Sequence, residues 1–339
     1  MWGEHTYRIS WLSAAKNFMM MLAVMILTTV SISFSSFNNH TDKNIKLFKP
    51  VIDKLLDNGV DTVFIYALLG DSNTEFNERF VKINVTNFIG RADYSKHYND
   101  YSVKRTQSFL DKNVKLLHSA ESIYDVPKEI IASILWIETR HGNYLGSSHV
   151  PSVFLSTALA AEEEYIEMNK QELRRKFKGP DSELPELDKK IIARADKKSN
   201  WAIGELIALS EIYNRSDIDI MNLEGSWAGA FGISQFLPSS YINWAVDGDD
   251  NGIIDLFTLE DAVFSVGNYL KVNGWDDEEN SRRDAVFHYN NSSAYVNAVF
   301  SLASMLEDPY DSISSEEPDE EKNRGDIHTP LNEMLRESR

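Results

Sequence analysis

A single glutamate, Glu138, occupies a position on a predicted helix that the sequence pattern otherwise gives to apolar residues. The segment 127–142 is strongly helix-forming. Its apolar side chains lie at positions i, i+3 and i+4 of one face: Ile131, Ile134 and Leu135. Glu138 takes position i+7 of the same face. Because burial disfavours an ionised carboxylate, we expect the pKa of Glu138 to be raised and the residue to stay partly protonated near neutral pH.

A glutamate of this kind can give a proton to a glycosidic oxygen and take a proton back later, which is general acid–base catalysis. The spacing alone also allows a structural role, in which an inward-facing Glu138 is paired with Arg140 or another buried cation. Gly142 is expected to end the helix.

A second segment, residues 223–241, combines glycines with aromatic, hydroxyl and amide side chains. Three glycines permit tight turns and close approach of the backbone to a ligand: Gly225, Gly229 and Gly232. Aromatic faces that suit sugar rings alternate with them: Trp227, Phe231, Phe236 and Tyr241. Ser226 and Gln235 supply hydrogen bonds. The segment lacks the GK[ST] ending of a phosphate loop, so we predict a sugar-binding loop, with a packed interior turn as the alternative.

Residues 247–255 place oxygen-bearing side chains at alternate positions, with a glycine at the sixth. The order D-x-D-x-N-G-x-I-D matches the first half of an EF-hand loop, which wraps one calcium ion. The expected ligands include one main-chain carbonyl, that of Ile253: Asp247, Asp249, Asn251 and Ile253. Position twelve is Thr258 instead of glutamate, so Asp261 would have to close a longer loop. The alternative is an acidic turn that only resembles a metal site.

The composition excludes several classes of protein. The chain has 339 residues, of which 42% are hydrophobic and 25% charged, as in ordinary globular proteins. Its net charge of −18 argues against a nucleic-acid partner, because phosphate contacts need a surplus of Lys and Arg. The absence of cysteine excludes disulfides, thiolate metal sites, a cysteine nucleophile and a lipid-modified cysteine.

The N-terminal segment has the pattern of an export signal. No charged residue occurs between Lys16 and Asp42, and residues 18–34 form an apolar run that Arg8 and Lys16 precede. The run of about 17 residues is at the short edge of what spans a bilayer. No clean small-x-small cleavage site follows, which favours an uncleaved signal anchor over a cleaved signal peptide; a buried core helix is the alternative. An uncleaved segment would make the membrane a partner.

Most of the remaining chain is predicted to be helical. Apolar spacing predicts helices over residues 51–56 and 60–69, with a short strand at 63–66 as the alternative, and one amphipathic helix over 104–124. Two charge-dense helices, 162–178 and 187–213, are separated by Gly-Pro and are expected to form an exposed hairpin.

Taken together, these segments resemble the membrane-bound lytic murein transglycosylase B family, glycoside hydrolase family 103. The likeness extends over about residues 95–305. The residues that carry it follow one another in the family's order: 124–127, 129–131, 138–140, 142, 225–230, 232, 235–241, the aspartate loop, 265–269, 274–275, 289–290 and 295.

The resemblance implies a mainly α, lysozyme-like fold with an EF-hand-like calcium loop and an inserted helical subdomain. It implies that Glu138 is the only catalytic acid and base. The glycan cleft would be lined by Ser226, Gln235, Phe236, Tyr269, Tyr289, Asn290 and Tyr295. A structural Ca²⁺ ion would be held by Asp247, Asp249, Asn251, Ile253 and Asp261. No organic cofactor is implied.

The implied reaction is cleavage of the β-1,4 bond between N-acetylmuramic acid and N-acetylglucosamine in peptidoglycan strands, with formation of 1,6-anhydro ends. The implied location is the periplasm or cell envelope, with anchorage to the inner membrane if the N-terminal segment is retained. A lysozyme-like muramidase, which would need a second carboxylate, and a non-catalytic peptidoglycan-binding protein are the alternatives.

The predicted layout has three parts. Residues 1–44 are the export signal and a linker, residues 45–306 the transglycosylase domain with a charged insertion at 160–213, and residues 307–339 a disordered acidic tail.

The chain departs from the family in two places. After the catalytic helix the family typically has a basic Pro-Arg-Arg stretch, whereas residues 159–164 here read Leu-Ala-Ala-Glu-Glu-Glu. Arg174 and Arg175 come too late to be equated with it. The lipid-attachment cysteine of some members is missing, so the hydrophobic segment would replace it as the anchor.

Overall fold

Helices make up most of the protein. The computed structural model describes residues 39–86, 93–215 and 218–308. Residues 39–47 are helical and form α1. The helices that follow are α2 (Lys49–Asp57), α3 (Thr62–Gly70), α4 (Glu78–Thr86), α5 (Asp100–Lys112), α6 (Val114–Tyr124), α7 (Lys128–Thr139), α8 (Val150–Ala158), α9 (Glu163–Lys176), α10 (Leu184–Arg215), α11 (Pro238–Trp244), α12 (Leu259–Val272), α13 (Glu279–Tyr289) and α14 (Ser293–Ala303). The prediction of a mainly α protein is confirmed.

The strands in the described ranges are two short ones. Strand β1 (Ser148–His149) pairs antiparallel with β2 (Glu224–Gly225), so that Ser148 lies opposite Gly225. This pairing joins the loop that follows α7 to the beginning of the glycine-rich segment. Two parts of the chain that are distant in sequence, and that both carry predicted site residues, are thereby fixed beside each other.

The first predicted helices occur, with one difference. Residues 62–70 are helical, so the alternative of a strand at 63–66 is wrong; Asp61 caps this helix by accepting a hydrogen bond from the Val63 amide at 2.8 Å. The single helix predicted over 104–124 is two helices, α5 and α6. Asn113 separates them, and its side-chain amide donates to the Phe109 carbonyl at 2.8 Å, which satisfies one terminal carbonyl of α5.

Helix α10 differs most from its prediction. The exposed hairpin predicted for α9 and α10 is wrong for α10, whose C-terminal half is part of the core and packs against α8 and α11. Its inward side chains recur every three or four positions: Ile191, Ala195, Ala202, Leu206 and Leu209. The lysines and glutamates of the helix lie between them, so a high charge density conceals a continuous apolar stripe.

A buried carboxylate on α10 also holds the helix that follows the glycine-rich segment. Glu205 is 4% exposed and accepts hydrogen bonds from the Ser239 amide and hydroxyl at 2.9 and 2.8 Å. Ser239 lies in the first turn of α11, where free amides need acceptors and a negative charge is favourable.

The end of the described chain is attached to the rest of the protein. The Gln107 amide both donates to the Glu307 carbonyl at 3.0 Å and accepts from its amide at 2.9 Å. Asp308 forms an ion pair of 2.9 Å with Lys128, the first residue of α7. These contacts hold the first two residues of the predicted tail against α5 and α7.

Two predicted segments lie outside the described residues, namely the apolar N-terminal run at 18–34 and residues 309–339 of the acidic tail. Within the described ranges, no helix has both the length and the apolar character needed to cross a membrane.

Candidate active site

Helix α7 carries Glu138 into the protein. Its residues are buried along almost its whole length, because α5, α6, α12 and α14 surround it. The helix ends at Thr139, three residues before the predicted stop at Gly142. Arg140 and His141 both have left-handed backbone conformations, with φ of 55° and 56°, and Gly142 follows with φ of 87°. Two consecutive non-glycine residues in this region are uncommon and occur where surrounding structure enforces them.

The enforcing contact is made by Thr139, whose role the sequence did not reveal. Its buried hydroxyl donates to the Ile233 carbonyl at 2.8 Å and accepts from the Gly142 amide at 2.9 Å. The end of the catalytic helix is therefore bonded to the glycine-rich segment. A hydroxyl residue at a helix end would have been the only sequence signal, and that signal is weak.

Glu138 lies in an environment that favours its protonated form. The residue is half-buried, and its Oε1 accepts a hydrogen bond of 2.6 Å from the Tyr295 hydroxyl. Burial raises the pKa of Glu138 to about 7, and the Tyr295 hydrogen bond opposes that rise. Near neutral pH the carboxyl is thus divided between its two protonation states, as an acid that must later act as a base requires.

The structural alternative for Glu138, an ion pair with Arg140 or another buried cation, is not found among the described residues. The Arg140 guanidinium does not pair with it; instead its central carbon lies 4.3 Å from the centroid of the Trp136 ring. Among the described residues, no Lys, Arg or His forms an ion pair with Glu138.

Aromatic side chains from three helices pack around the carboxyl. The Tyr289 and Tyr295 rings are stacked with centroids 6.5 Å apart, and the Tyr269 ring lies 4.7 Å from Tyr289. Phe236 contacts the rings of Tyr269 and Tyr289 at 5.6 and 5.8 Å. Burial and the nearby Glu138 charge hold the pKa values of Tyr289 and Tyr295 well above their usual range, so both act as neutral hydroxyl groups. The structure therefore brings together four aromatic residues that the sequence analysis selected.

Asn290 reaches the same site through a residue that the sequence analysis missed. Tyr94 is near enough to Asn290 for that side chain to lower its pKa, although burial and the Glu138 charge raise the pKa overall. The Tyr94 ring meets Tyr295 edge-on at 5.6 Å. Tyr94 precedes a short 3-10 turn with no distinctive pattern, so only the tertiary contact identifies it.

Gln235 and Ser226 take different places in the glycine-rich segment. Gln235 is half-buried with φ of 51°, and its side-chain amide donates to the carbonyls of Leu145 and Gly232 at 3.2 and 3.1 Å. The Ser226 hydroxyl accepts from the Ala230 amide at 3.2 Å and closes a turn within the segment. Gln235 thus fixes the loop that follows α7, whereas Ser226 shapes its own loop.

Tyr295 offers a test of how the carboxyl is tuned. We expect Tyr295→Phe to move the alkaline limb of the pH–rate profile to higher pH, because it removes the hydrogen bond that lowers the pKa of Glu138. Turnover should fall about tenfold, the usual effect of losing one hydrogen bond to a charged group. The matched control is Tyr269→Phe, which removes a hydroxyl that donates to the His288 carbonyl at 2.9 Å. An unmoved limb in Tyr295→Phe would contradict this account.

The acidic loop brings three predicted ligands together. Single carboxylate oxygens of Asp247, Asp249 and Asp261 all lie within 4.8 Å of one another. Asp261 is fully buried at the start of α12, and it accepts hydrogen bonds from the amides of Gly248 and Asp255 at 2.7 and 2.6 Å. Asp261 therefore joins both ends of the loop, as a longer version of the predicted loop requires. Among the described residues, none of these carboxylates has a cation within ion-pair distance.

The family can now be identified from comparisons with known proteins. Residues 72–287, more than half of the chain, match the family model described as the transglycosylase SLT domain. This protein belongs to that family. The matched range contains Glu138, the glycine-rich segment, the acidic loop and Tyr269; Tyr289 and Tyr295 lie just beyond it.

Individual relatives agree with the assignment. Over 167 residues the chain is 33% identical to membrane-bound lytic murein transglycosylase B of Escherichia coli K12. The match spans 49% of this chain but only 37% of that relative, so the similarity is to about a third of its length.

Solved structures show the same fold. The lytic transglycosylase Slt35 of Escherichia coli, in complex with calcium, has a TM-score of 0.57 at 21% identity, over 76% of this chain and 91% of that one. SltB3 of Pseudomonas aeruginosa, in complex with NAG-anhNAM-pentapeptide, has a TM-score of 0.57 at 18% identity, over 77% and 78%. The lysozyme-like transglycosylase fold predicted for this chain is confirmed.

Proposed function

We propose that this protein is a peptidoglycan lytic transglycosylase, in which Glu138 is the only catalytic acid and base. The observation that carries the proposal is the half-buried Glu138 carboxyl, which has a pKa of about 7 and a hydrogen bond from Tyr295. Membership in the transglycosylase SLT domain family supports the same reaction. So does the likeness in fold to SltB3, whose solved complex contains the anhydro-muropeptide NAG-anhNAM-pentapeptide.

In the first step, protonated Glu138 gives its proton to the oxygen between N-acetylmuramic acid and N-acetylglucosamine. The glycosidic bond breaks, the leaving sugar departs with a new hydroxyl, and positive charge develops at C1 of the muramic acid. Glu138 is then ionised, and the Tyr295 hydroxyl stabilises that form by its hydrogen bond.

In the second step, Glu138 takes the proton from the C6 hydroxyl of the same muramic acid, whose oxygen attacks C1 and closes the 1,6-anhydro ring. Glu138 returns to its protonated state, so the cycle consumes no water. The attack succeeds only if water is kept from C1, and the Tyr289 ring, which stacks on Tyr295, provides apolar surface near the carboxyl.

A hydrolysing muramidase is the nearest alternative. An inverting hydrolase would need a second carboxylate about 6.5–9.5 Å from the acid, to activate water. Burial and the Tyr295 hydrogen bond account for the pKa of Glu138. One carboxylate surrounded by tyrosines favours an internal nucleophile over water.

The product distinguishes these functions. Purified peptidoglycan is digested with the protein, and the fragments are analysed by mass spectrometry. Fragments one water lighter than hydrolysis products are expected. Ordinary reducing ends would identify a muramidase, and retention on the sacculi without cleavage would identify a binding protein.

We also propose that the acidic loop binds Ca²⁺ in a structural role. The donors would be the side chains of Asp247, Asp249, Asn251 and Asp261 and the Ile253 carbonyl. The residues fit a hard cation, because their carboxylates converge without a neutralising Lys or Arg in the described ranges and Asp261 is fully buried. The calcium complex of the fold neighbour Slt35 supports this proposal.

Calcium should therefore stabilise the folded protein. At a free Ca²⁺ concentration of about 100 times the Kd, linkage adds about 2.7 kcal/mol to the free energy of unfolding, which raises Tm by roughly 5–10 °C for a domain of this size. Melting is measured with Ca²⁺ and with excess chelator. In Asp249→Asn, which alters an exposed ligand, the calcium-dependent shift should be largely lost. An identical Tm in Ca²⁺ and in chelator would contradict the proposal that the acidic loop binds calcium.

We propose a location in the cell envelope, because peptidoglycan lies outside the cytoplasm. The apolar run at residues 18–34 and the membrane-bound relative in Escherichia coli support it. Fractionation of cells that express the full chain tests this proposal, and recovery in the cytoplasmic fraction would contradict it.

A further inference from the structure

Arg140 is a cation for which the described residues supply no anion. Its guanidinium stacks on Trp136 at 4.3 Å, and its Nη1 is shielded from solvent without a hydrogen-bond partner. Within the described ranges it belongs to no ion pair, although the protein has a net charge of −18. Partial desolvation of a guanidinium is unfavourable and is usually offset by a carboxylate. Burial accordingly lowers the pKa of Arg140.

Two exposed tyrosines flank this cation. Tyr101 is 65% and Tyr144 is 73% exposed, and both are close enough to Arg140 for their charge to affect its pKa. The Tyr101 ring also lies 6.1 Å from the ring of Trp136, the residue on which the guanidinium stacks. Single exposed aromatics are common. Two of them beside an unpaired arginine form a surface that combines aromatic contact with a positive charge, as binding surfaces often do.

The chain connects this cation to the catalytic site. Arg140 follows Glu138 by two residues, and the loop that it begins leads to Leu145, whose carbonyl accepts from Gln235 at 3.2 Å. A second connection runs through Tyr94, whose ring is 5.6 Å from Tyr295 and 5.6 Å from His97. The pKa of His97 is lowered by burial and by the charge of Arg140, so His97 is near Arg140 as well as near Tyr94.

We propose that Arg140, with Tyr101 and Tyr144 nearby, binds a carboxylate of the glycan strand that Glu138 cleaves. This inference rests on the proposed function and names a specificity-determining residue for it. The planar guanidinium would hold the carboxylate through paired hydrogen bonds from its Nε and Nη2 groups, because Nη1 is shielded from solvent. The carboxylate has two sources in peptidoglycan, the lactyl group of a muramic acid without peptide or the attached peptide.

Binding tests the inference without requiring catalysis. Soluble glycan fragments with and without peptide are prepared, and half of each is treated with carbodiimide and ammonia, which converts carboxylates into neutral amides. Affinities are measured by calorimetry for the Glu138→Gln protein and for the same protein with Arg140→Gln. Arg140→Gln should weaken binding of fragments with free carboxylates about tenfold, the effect of losing a charge-assisted hydrogen bond. Binding of the amidated fragments should not change.

Controls separate recognition from folding. Arg175→Gln removes the same charge from an exposed position on α9 and should leave every affinity unchanged. Arg140→Lys keeps the charge but lacks the paired donors, so its affinity for free carboxylates should be intermediate. Loss limited to peptide-bearing fragments would assign the peptide as the source, and loss limited to bare fragments would assign the lactyl group.

Other outcomes contradict the inference. If Arg140→Gln lowers the affinity for free and amidated fragments equally, Arg140 has a structural role only. If the affinities are the same with and without Arg140, the residue takes no part in recognition. If the protein with Glu138 intact forms no anhydro products, the proposed reaction is contradicted. The carboxylate site is still supported in that case if binding requires both Arg140 and a free carboxylate on the fragment. If cleavage occurs and Arg140→Gln binds normally, only the carboxylate site fails.

Discussion

Glu138→Gln should lower the rate of glycan cleavage by at least about a thousandfold. Glutamine cannot give the proton to the leaving oxygen or take it from the C6 hydroxyl, and proton transfers of this kind contribute about 10²–10⁴-fold each. Initial rates are measured on soluble strands as the release of 1,6-anhydro ends. The matched control is Glu279→Gln, an exposed glutamate in the first turn of α13, which should keep its rate. Substantial cleavage by Glu138→Gln would mean that another residue is the catalytic acid.

The same substitution should stabilise the fold at alkaline pH. The pKa of Glu138 is about 7 in the folded protein, against 4.5 ordinarily. Between these values the folded state binds more protons than the unfolded state, so the free energy of unfolding falls as pH rises. Above pH 7 the full cost is present, about 3 kcal/mol at the usual conversion of pKa difference to free energy. Glu138→Gln should therefore melt higher than the wild type at pH 8 and lose that advantage towards pH 4.

Gly146→Ala should destabilise the protein by at least about 3 kcal/mol. Gly146 has φ of 89°, and a Cβ there would lie 2.2 Å from the carbonyl oxygen of Gly225. Both the unfavourable backbone conformation and the collision with rigid backbone oppose an alanine. Because Gly225 belongs to the strand pair that precedes Ser226, the glycine-rich segment should also shift and cleavage should weaken.

Gly59→Ala separates the two causes. Gly59 has φ of 78°, but a Cβ there would have no atom within 4 Å. It should cost only the conformational strain, about 1–2 kcal/mol. Denaturant unfolding of both variants gives the comparison. Equal destabilisation would mean that the strand pair yields to the added methyl group, and the close approach at Gly146 would then lose its significance.

The local position of Glu138 could be predicted because it depends only on helical periodicity. The apolar spacing of Ile131, Ile134 and Leu135 predicted the helix and the place of Glu138 along it, although α7 is buried on all sides and not on one face only. The ligand order of the acidic loop is local in the same sense. The end of α7 could not be predicted, because Thr139 ends the helix by bonding to Ile233, a residue far along the chain.

Charge density proved to be a poor guide to burial in α10. Lysines and glutamates suggested an exposed hairpin, but Ile191, Leu206 and Leu209 are fully buried. A long helix can hold many charges on its outer face while one narrow stripe faces the core. Whether that stripe is covered depends on the neighbouring helices, which a single segment does not specify.

The amino-acid sequence by itself determined the chemical groups: one glutamate on an apolar helix face, a glycine-rich segment with an amide and aromatic rings, and an acidic loop. Only the tertiary structure decided the state of those groups. Tyr295 lies 157 residues from Glu138 and yet donates the hydrogen bond that tunes it. The Arg140 guanidinium lies over the Trp136 ring and has no anion among the described residues. The physical reason is that the pKa of a carboxyl and the pairing of a cation depend on burial and on neighbours in space, whereas spacing along the chain specifies only which residues share a face.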